Sequence, residues 1–140
     1  MKTPELFANV PDQRRRLMAK VKSTGSKPEM IVQHMVHKLG FRPRLHVRAL
    51  PGSPDIVFAR LKKVIFVHGC FWHRHSNCAR TTTPKARAEY WQKKFDDNVT
   101  RDERSQETLR ALGWEVLVIW ECETKDQNGL EDRLRSFLSA

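Results

Sequence analysis

Cysteine is scarce in this chain of 140 residues: there are three, an odd number. That count argues against the disulfide framework that staples small secreted domains. No apolar run approaches the roughly 18 residues that a membrane helix needs. The N-terminus also lacks the apolar stretch of a secretory signal. The chain therefore reads as cytoplasmic and without a membrane partner. Acidic residues are thin over most of its length. Residues 1–94 hold 5 Asp/Glu against 20 Lys/Arg, whereas residues 95–140 hold 11 against 6, and the net charge is +10. A one-sided positive field of that size favours a polyanion, because releasing counterions from nucleic acid supplies affinity.

No repeat or linker interrupts the sequence, and its length suits one domain over residues 1–140. Residues 1–25, with Arg14, Arg15, Arg16, Lys20 and Lys22, read as a basic arm or a short helix. Ser26-Lys27-Pro28-Glu29 starts a helix: Ser26 caps, Pro28 suits the first turn and Glu29 closes a capping box. Met30, Ile31, Met35, Val36 and Leu39 give that helix an apolar face, and Gly40 ends it. Phe41 to Val47 alternates apolar and basic residues and predicts a strand with a cationic face. The rigid loop Pro51-Gly52-Ser53-Pro54 delivers Asp55 to a strand over 56–59, and a turn at 60–63 leads into an apolar strand over 64–67. A helix is expected over 85–112, broken near Asp96-Asp97-Asn98. An apolar strand over 114–120 and a last helix carrying Leu130, Leu134, Phe137 and Leu138 follow. The order is α-β-β-β-α-β-α, an α/β fold with a mixed β-sheet flanked by helices.

Most of the chemistry is packed into Phe66 to Cys78. Cys70, His75 and Cys78 share one loop, and Cys122 follows 44 residues after Cys78. Together they make a Cys₃His set suited to tetrahedral structural zinc, with His73 competing with His75 for the fourth place. Asp55 presents a carboxylate at a strand edge, where magnesium would find an oxygen ligand. An antiparallel hairpin brings Asp55 to the Val67-His68 end of the next strand. That puts His68 near the acid and His73 a short loop away, as imidazoles able to move protons near neutral pH. Glu29 is either only a cap or a second acid, if its helix starts at the sheet edge. His34 and His37 read as ordinary surface histidines. Phe71-Trp72 and Tyr90-Trp91 are rings that either unstack bases or cover the core. Trp114 and Trp120 read as core.

Three stretches carry a resemblance: Leu50 to Phe58, Val64 to His73, and Val118-Ile119-Trp120-Glu121-Cys122. Over roughly residues 12–137 the chain resembles the Vsr-type very-short-patch repair endonucleases. The resemblance implies a restriction-endonuclease-like fold with structural zinc and a magnesium-dependent nicking activity. The implied substrate is double-stranded DNA with a T:G mismatch left by deamination of 5-methylcytosine, cut 5′ to the mispaired thymine. By position, it makes Asp55 the magnesium ligand with the Val67 backbone carbonyl, His68 the activator of water and His73 the group at the leaving oxygen. Glu29 would support the site, and Cys70, His75, Cys78 and Cys122 would hold zinc. Phe71, Trp72 and Trp91 would form the wedge in the DNA. Related restriction enzymes carry an acidic-x-lysine pair where Val67-His68-Gly69 stands here, so histidine takes the lysine's place. His75 and Cys78 also stand one residue further apart than in the family's H-x-C form.

The expected protein is thus a monomeric DNA mismatch endonuclease acting at the nucleoid, with repair proteins downstream of its nick. Two competing readings are a zinc-stabilised DNA-binding module without catalysis and a restriction endonuclease of the same fold.

Overall fold

A computed structural model describes residues 26–139. The arm or short helix expected over 1–25 lies outside the described residues. Helix α1 spans Lys27–Lys38, and the Ser26 hydroxyl accepts the Glu29 N–H at 3.4 Å. Val32 and Val36 are fully buried, while Met30, expected on the apolar face, is 49 % exposed.

Strand β1 is only Arg44–Leu45. The longer strand expected over 41–47 is cut short because Pro43 has no N–H to donate and His46 leaves the extended region at φ +50°. Strand β2, Ile56–Phe58, turns tightly through Lys62 (φ +56°) into strand β3, Lys63–His68. Helix α2 runs unbroken from Ala88 to Ala111. The break expected at Asp96-Asp97-Asn98 does not occur. No Gly or Pro interrupts the helix, the Gln92 amide donates to Asp96 at 2.9 Å, and buried Trp91, Phe95 and Leu109 anchor it. Strand β4 is Glu115–Trp120, followed by a 3-10 turn over Glu121–Lys125 and helix α3 over Gln127–Ser139. The 3-10 turn was not expected. It is built by local bonds, Trp120 N–H to the Glu123 carboxylate at 2.8 Å and the Thr124 hydroxyl to the Glu121 carbonyl at 2.7 Å.

The sheet order is β1-β2-β3-β4, with β3 and β4 parallel and the other pairs antiparallel. Alternation sorts its side chains to two faces. Ile56, Phe58, Ile65 and Ile119 pack against Val32 and Val36 of α1 and Leu130, Leu134 and Leu138 of α3. Val57, Val64 and Phe66 pack on the opposite side with Leu109 of α2. Each such side chain, fully buried, contributes roughly 1.5–3 kcal/mol of transfer free energy. The result is helices on both faces of an open mixed sheet. Among the described residues no helix is long and apolar enough to cross a membrane. The parallel pairing aligns His68 with Trp120, so β3 and β4 end side by side and release their loops at the same edge.

Candidate active site

The Pro51–Pro54 loop is pinned before it reaches Asp55. Gly52 has φ +74°, and a Cβ there would meet the Ser105 Cβ of α2 at 2.8 Å and the Phe66 ring at 3.2 Å. Pro54 is fully buried. Gly52→Ala therefore combines backbone strain with a clash and displaces the loop that carries Asp55. We expect it to lower catalytic turnover about 100-fold, the scale of a 1 Å misplacement, measured as single-turnover cleavage on saturating duplex. Wild-type turnover in this variant would show that the loop does not position the site.

The hairpin register, Ile56 opposite Ile65, sets Asp55 at the end of β3. The Val67 N–H donates to Asp55 Oδ2 at 2.7 Å. Helix α1 starts at the same edge, and Glu29, 3 % exposed, faces it. The Glu29 carboxylate accepts from Gln33 at 2.8 Å and lies 2.6 Å from His46 Nε2. One ligand atom each from Glu29, His46 and Asp55 lies within 4.8 Å of the others. Glu29 is thus both a helix-start residue and a second acid at the sheet edge. Burial, with a smaller push from the Glu29 charge, raises the Asp55 carboxyl to about 6 despite the Val67 N–H, which favours the anion. Concentrated negative charge of this kind is what a divalent cation relieves.

His68 closes β3, 5 % exposed. Its ring stacks on His73 with centroids 3.9 Å apart and planes within 6°, and meets Trp120 edge-on at 5.2 Å. Burial first, then the His73 charge, pushes His68 down to about 3, partly offset by Asp102. At neutral pH it is a neutral ring with a lone pair to offer. His73 Nδ1 lies 2.6 Å from Asp102 of α2, a contact that places the ring proton on Nδ1 and fixes the ring's orientation. His46, Arg48, Asp55, Val67, His68 and His73 line one cleft of about 340 Å³.

Beyond the edge, Cys70, His75, Cys78 and Cys122 converge, their ligand atoms all within 4.8 Å of one another. His75 Nδ1 lies 3.7 Å from Cys70 Sγ and 3.4 Å from Cys122 Sγ. Tetrahedral zinc, at about 2.3 Å from sulfur and 2.0–2.1 Å from nitrogen, spaces such ligands about 3.5 Å apart. The donor set and its spacing fit. The three cysteines are unbridged. Burial pushes the Cys70 thiol up to about 12, whereas the Arg80 N–H and then His75 draw Cys78 down to about 7, so thiolate is on hand for a soft cation. Of the two competing histidines, His75 sits among the thiols and His73 is held by Asp102.

The aromatics divide differently from expectation. Trp91 is 1 % exposed and stacked on Phe95, so it is a buried platform rather than an exposed ring of a wedge. Phe71 and Trp72 pack on that platform, half-buried, edge-to-face at 5.0 Å. Trp120, expected in the core, instead stands between the two sites, stacked on His75 at 4.4 Å and edge-on to His68. Trp114 is partly buried and packs, with Val116 and Val118, against the cluster that contains Leu109 of α2.

Two residues of the cleft, His46 and Asp102, were not anticipated. His46 read as one position of a cationic strand, and Asp102 as one acid among many on a polar helix. The only available signal for His46 was a histidine close before the Pro-Gly loop.

A family profile described as DNA mismatch endonuclease Vsr matches residues 8–80. The chain is 48 % identical over 128 residues to the type II nicking enzyme V.XorIIP of Xanthomonas oryzae pv. oryzae, spanning 91 % of this chain and 93 % of that protein. It is 38 % identical over 118 residues to the type II nicking enzyme V.NmeAIP of Neisseria meningitidis serogroup A, spanning 84 % of each. It is 43 % identical over 93 residues to the DNA mismatch endonuclease Vsr of Escherichia coli, spanning 66 % of this chain and 59 % of that protein. With an acid-and-imidazole cleft at the edge of a mixed sheet, these matches establish that the chain is a DNA endonuclease and belongs to the Vsr family.

Proposed function

We propose that this endonuclease nicks double-stranded DNA at T:G mismatches arising from 5-methylcytosine deamination, cutting 5′ to the mispaired thymine. The observation that carries the reading is the cleft itself, where the half-buried Asp55 carboxylate at a strand end shares one cavity with two stacked imidazoles. A DNA-binding module without catalysis has no use for that arrangement. The sheet with helices on both faces and its acid immediately before the second strand supports a restriction-endonuclease-like core.

Asp55 and the backbone carbonyl of Val67 would hold magnesium, with Glu29 adding negative charge beside them. A strand residue's N–H and carbonyl point to one side, and the Val67 N–H already points at Asp55. The bound ion would polarise the scissile phosphate and offset charge developing on it. His68, neutral and buried, takes the proton of the attacking water. His73, oriented through Nδ1 by Asp102, gives the Nε2 proton of its imidazolium form to the leaving 3′ oxygen and is left neutral. Cys70, His75, Cys78 and Cys122 would hold zinc with all four positions filled by protein, so that ion would brace the loop rather than activate water. Phe71 and Trp72, carried on Trp91, would press into the base stack beside the mismatch.

The test is nicking of a panel of mismatched and matched duplexes with magnesium. Cleavage of one strand of the T:G duplex, with little on the matched one, is expected. Binding without cleavage would favour the non-catalytic module, and cutting of the matched duplex a restriction enzyme. In the same panel Trp72→Ala should weaken T:G duplex binding by about 1–3 kcal/mol if a base stacks on the ring, read by fluorescence anisotropy. An unchanged Kd would return Trp72 to a purely structural role.

A further inference from the structure

Resting on the reading of Asp55 as the ligand of the catalytic cation, we propose that His46 is a further ligand. Its imidazole Nε2 would make Glu29, His46 and Asp55 a mixed oxygen–nitrogen site that takes manganese(II) in preference to magnesium.

Three observations converge. First, Nε2 of His46 lies 2.6 Å from Glu29 Oε2, and both are within 4.8 Å of an Asp55 oxygen. A ring nitrogen and a carboxylate oxygen that close share a proton, and a divalent cation taken up beside Asp55 would displace that proton and draw on both donors. Second, the main chain holds His46 at φ +50°, a left-handed conformation that is costly for a side-chain-bearing residue. It is fixed there by its own N–H on the Asp55 carbonyl at 3.0 Å and by Val47 N–H on the Pro54 carbonyl at 3.3 Å. The same main chain that carries Asp55 therefore aims the ring, and a shift of either residue moves both. Third, the ring lines the cleft and remains 29 % exposed, open to an ion arriving from solvent. Imidazole nitrogen strengthens binding of transition-metal ions more than of magnesium, which favours oxygen ligands throughout. The thiolate cluster does not compete for manganese(II), which prefers harder ligands, once it is filled with zinc.

The experiment uses zinc-loaded full-length protein titrated separately with manganese(II) and magnesium, with pulsed EPR of the manganese-bound sample. Wild-type protein is expected to show nitrogen coupling to the manganese, and His46→Asn to lose it, since asparagine tolerates the left-handed backbone. The preference for manganese over magnesium should fall about tenfold or more in that variant. His46→Gln serves if the asparagine variant does not fold, and His68→Gln should retain the coupling. Absence of nitrogen coupling in wild type overturns the proposal. So does its persistence in the His46 variants, its loss in His68→Gln, or an equal loss of affinity for both ions. Asp55→Asn separates the two readings: unchanged affinity for both ions there would remove Asp55 as a ligand, whereas a failure confined to the His46 variants leaves the Asp55 reading standing.

Discussion

Asp55→Asn is expected to lower nicking of a T:G duplex by at least about 10³-fold, the scale of losing roughly 4 kcal/mol of transition-state stabilisation. The same change should make the metal-free protein more stable. The Asp55 carboxyl is raised from 3.8 to about 6, mainly by burial and next by the neighbouring Glu29 charge. A folded-state value above the unfolded one means that the fold disfavours the anion. The penalty is absent below pH 4, grows as pH rises towards 6 and is complete above it, where it amounts to about 3 kcal/mol. Asparagine is neutral at every pH and its carbonyl oxygen can still accept the Val67 N–H. Denaturant melts without divalent cation should therefore show the variant ahead at pH 7.5 and level with wild type near pH 4. A variant that loses activity but gains no stability would mean that Asp55 is not held against its charge. A variant that nicks at the wild-type rate would remove it from the chemistry.

That opposition between stability and activity was legible in part. Pro51 to Asp55, a short turn and an apolar strand ending at Val67-His68 were enough to bring the acid to the histidine, because an antiparallel hairpin leaves little freedom. The cysteines were legible for a similar reason, since thiols and imidazoles in such density serve few purposes but a soft metal. His46 and Asp102 were not, because both are partners across the fold. Alternation made His46 look like a strand residue, and only the positive φ at that position, which no pattern announced, turns it to Glu29. Asp102 meets His73 only once α2 has been laid over the sheet. Trp91 and Trp120 were misassigned in opposite directions. The resemblance put the ring of a polar helix in the wedge, and the ring in an apolar strand looked buried, but β4 stops at the cleft and α2 supplies the Trp91 platform on which Phe71 and Trp72 pack. The unbroken α2 shows the same limit, as Asp96-Asp97-Asn98 are poor helix formers overruled by the anchored rings beside them.

Cys122→Ser is expected to reduce bound zinc from about one ion per chain to a small fraction of that, measured by metal analysis after dialysis against a weak chelator. An ion bound to the fold at a thousand times its Kd stabilises by about 4 kcal/mol. Its loss should lower Tm by roughly 10–15 °C for a chain of this size. The cost should extend to activity, because Trp120 contacts both His75 and His68. Cys78→Ser, which does not adjoin Trp120 in sequence as Cys122 nearly does, should lose zinc with a smaller drop in residual nicking. Full, tight zinc in Cys122→Ser would exclude that residue from the ligand set.

The parallel union of β3 and β4 bears on the history of each molecule as it forms. Cys70 follows His68 by the same short step that separates Cys122 from Trp120, and His68 and Trp120 are register partners. The loop can gather Cys70, His75 and Cys78 on its own, soon after that segment is made. The last thiol arrives only when the chain has passed through α2 and β4 has aligned with β3, the strand pairing widest in sequence among the described residues and the slow kind to form. Tight zinc uptake would then be a late event, and a nascent chain with three thiol and imidazole donors would hold the ion loosely until its topology was complete.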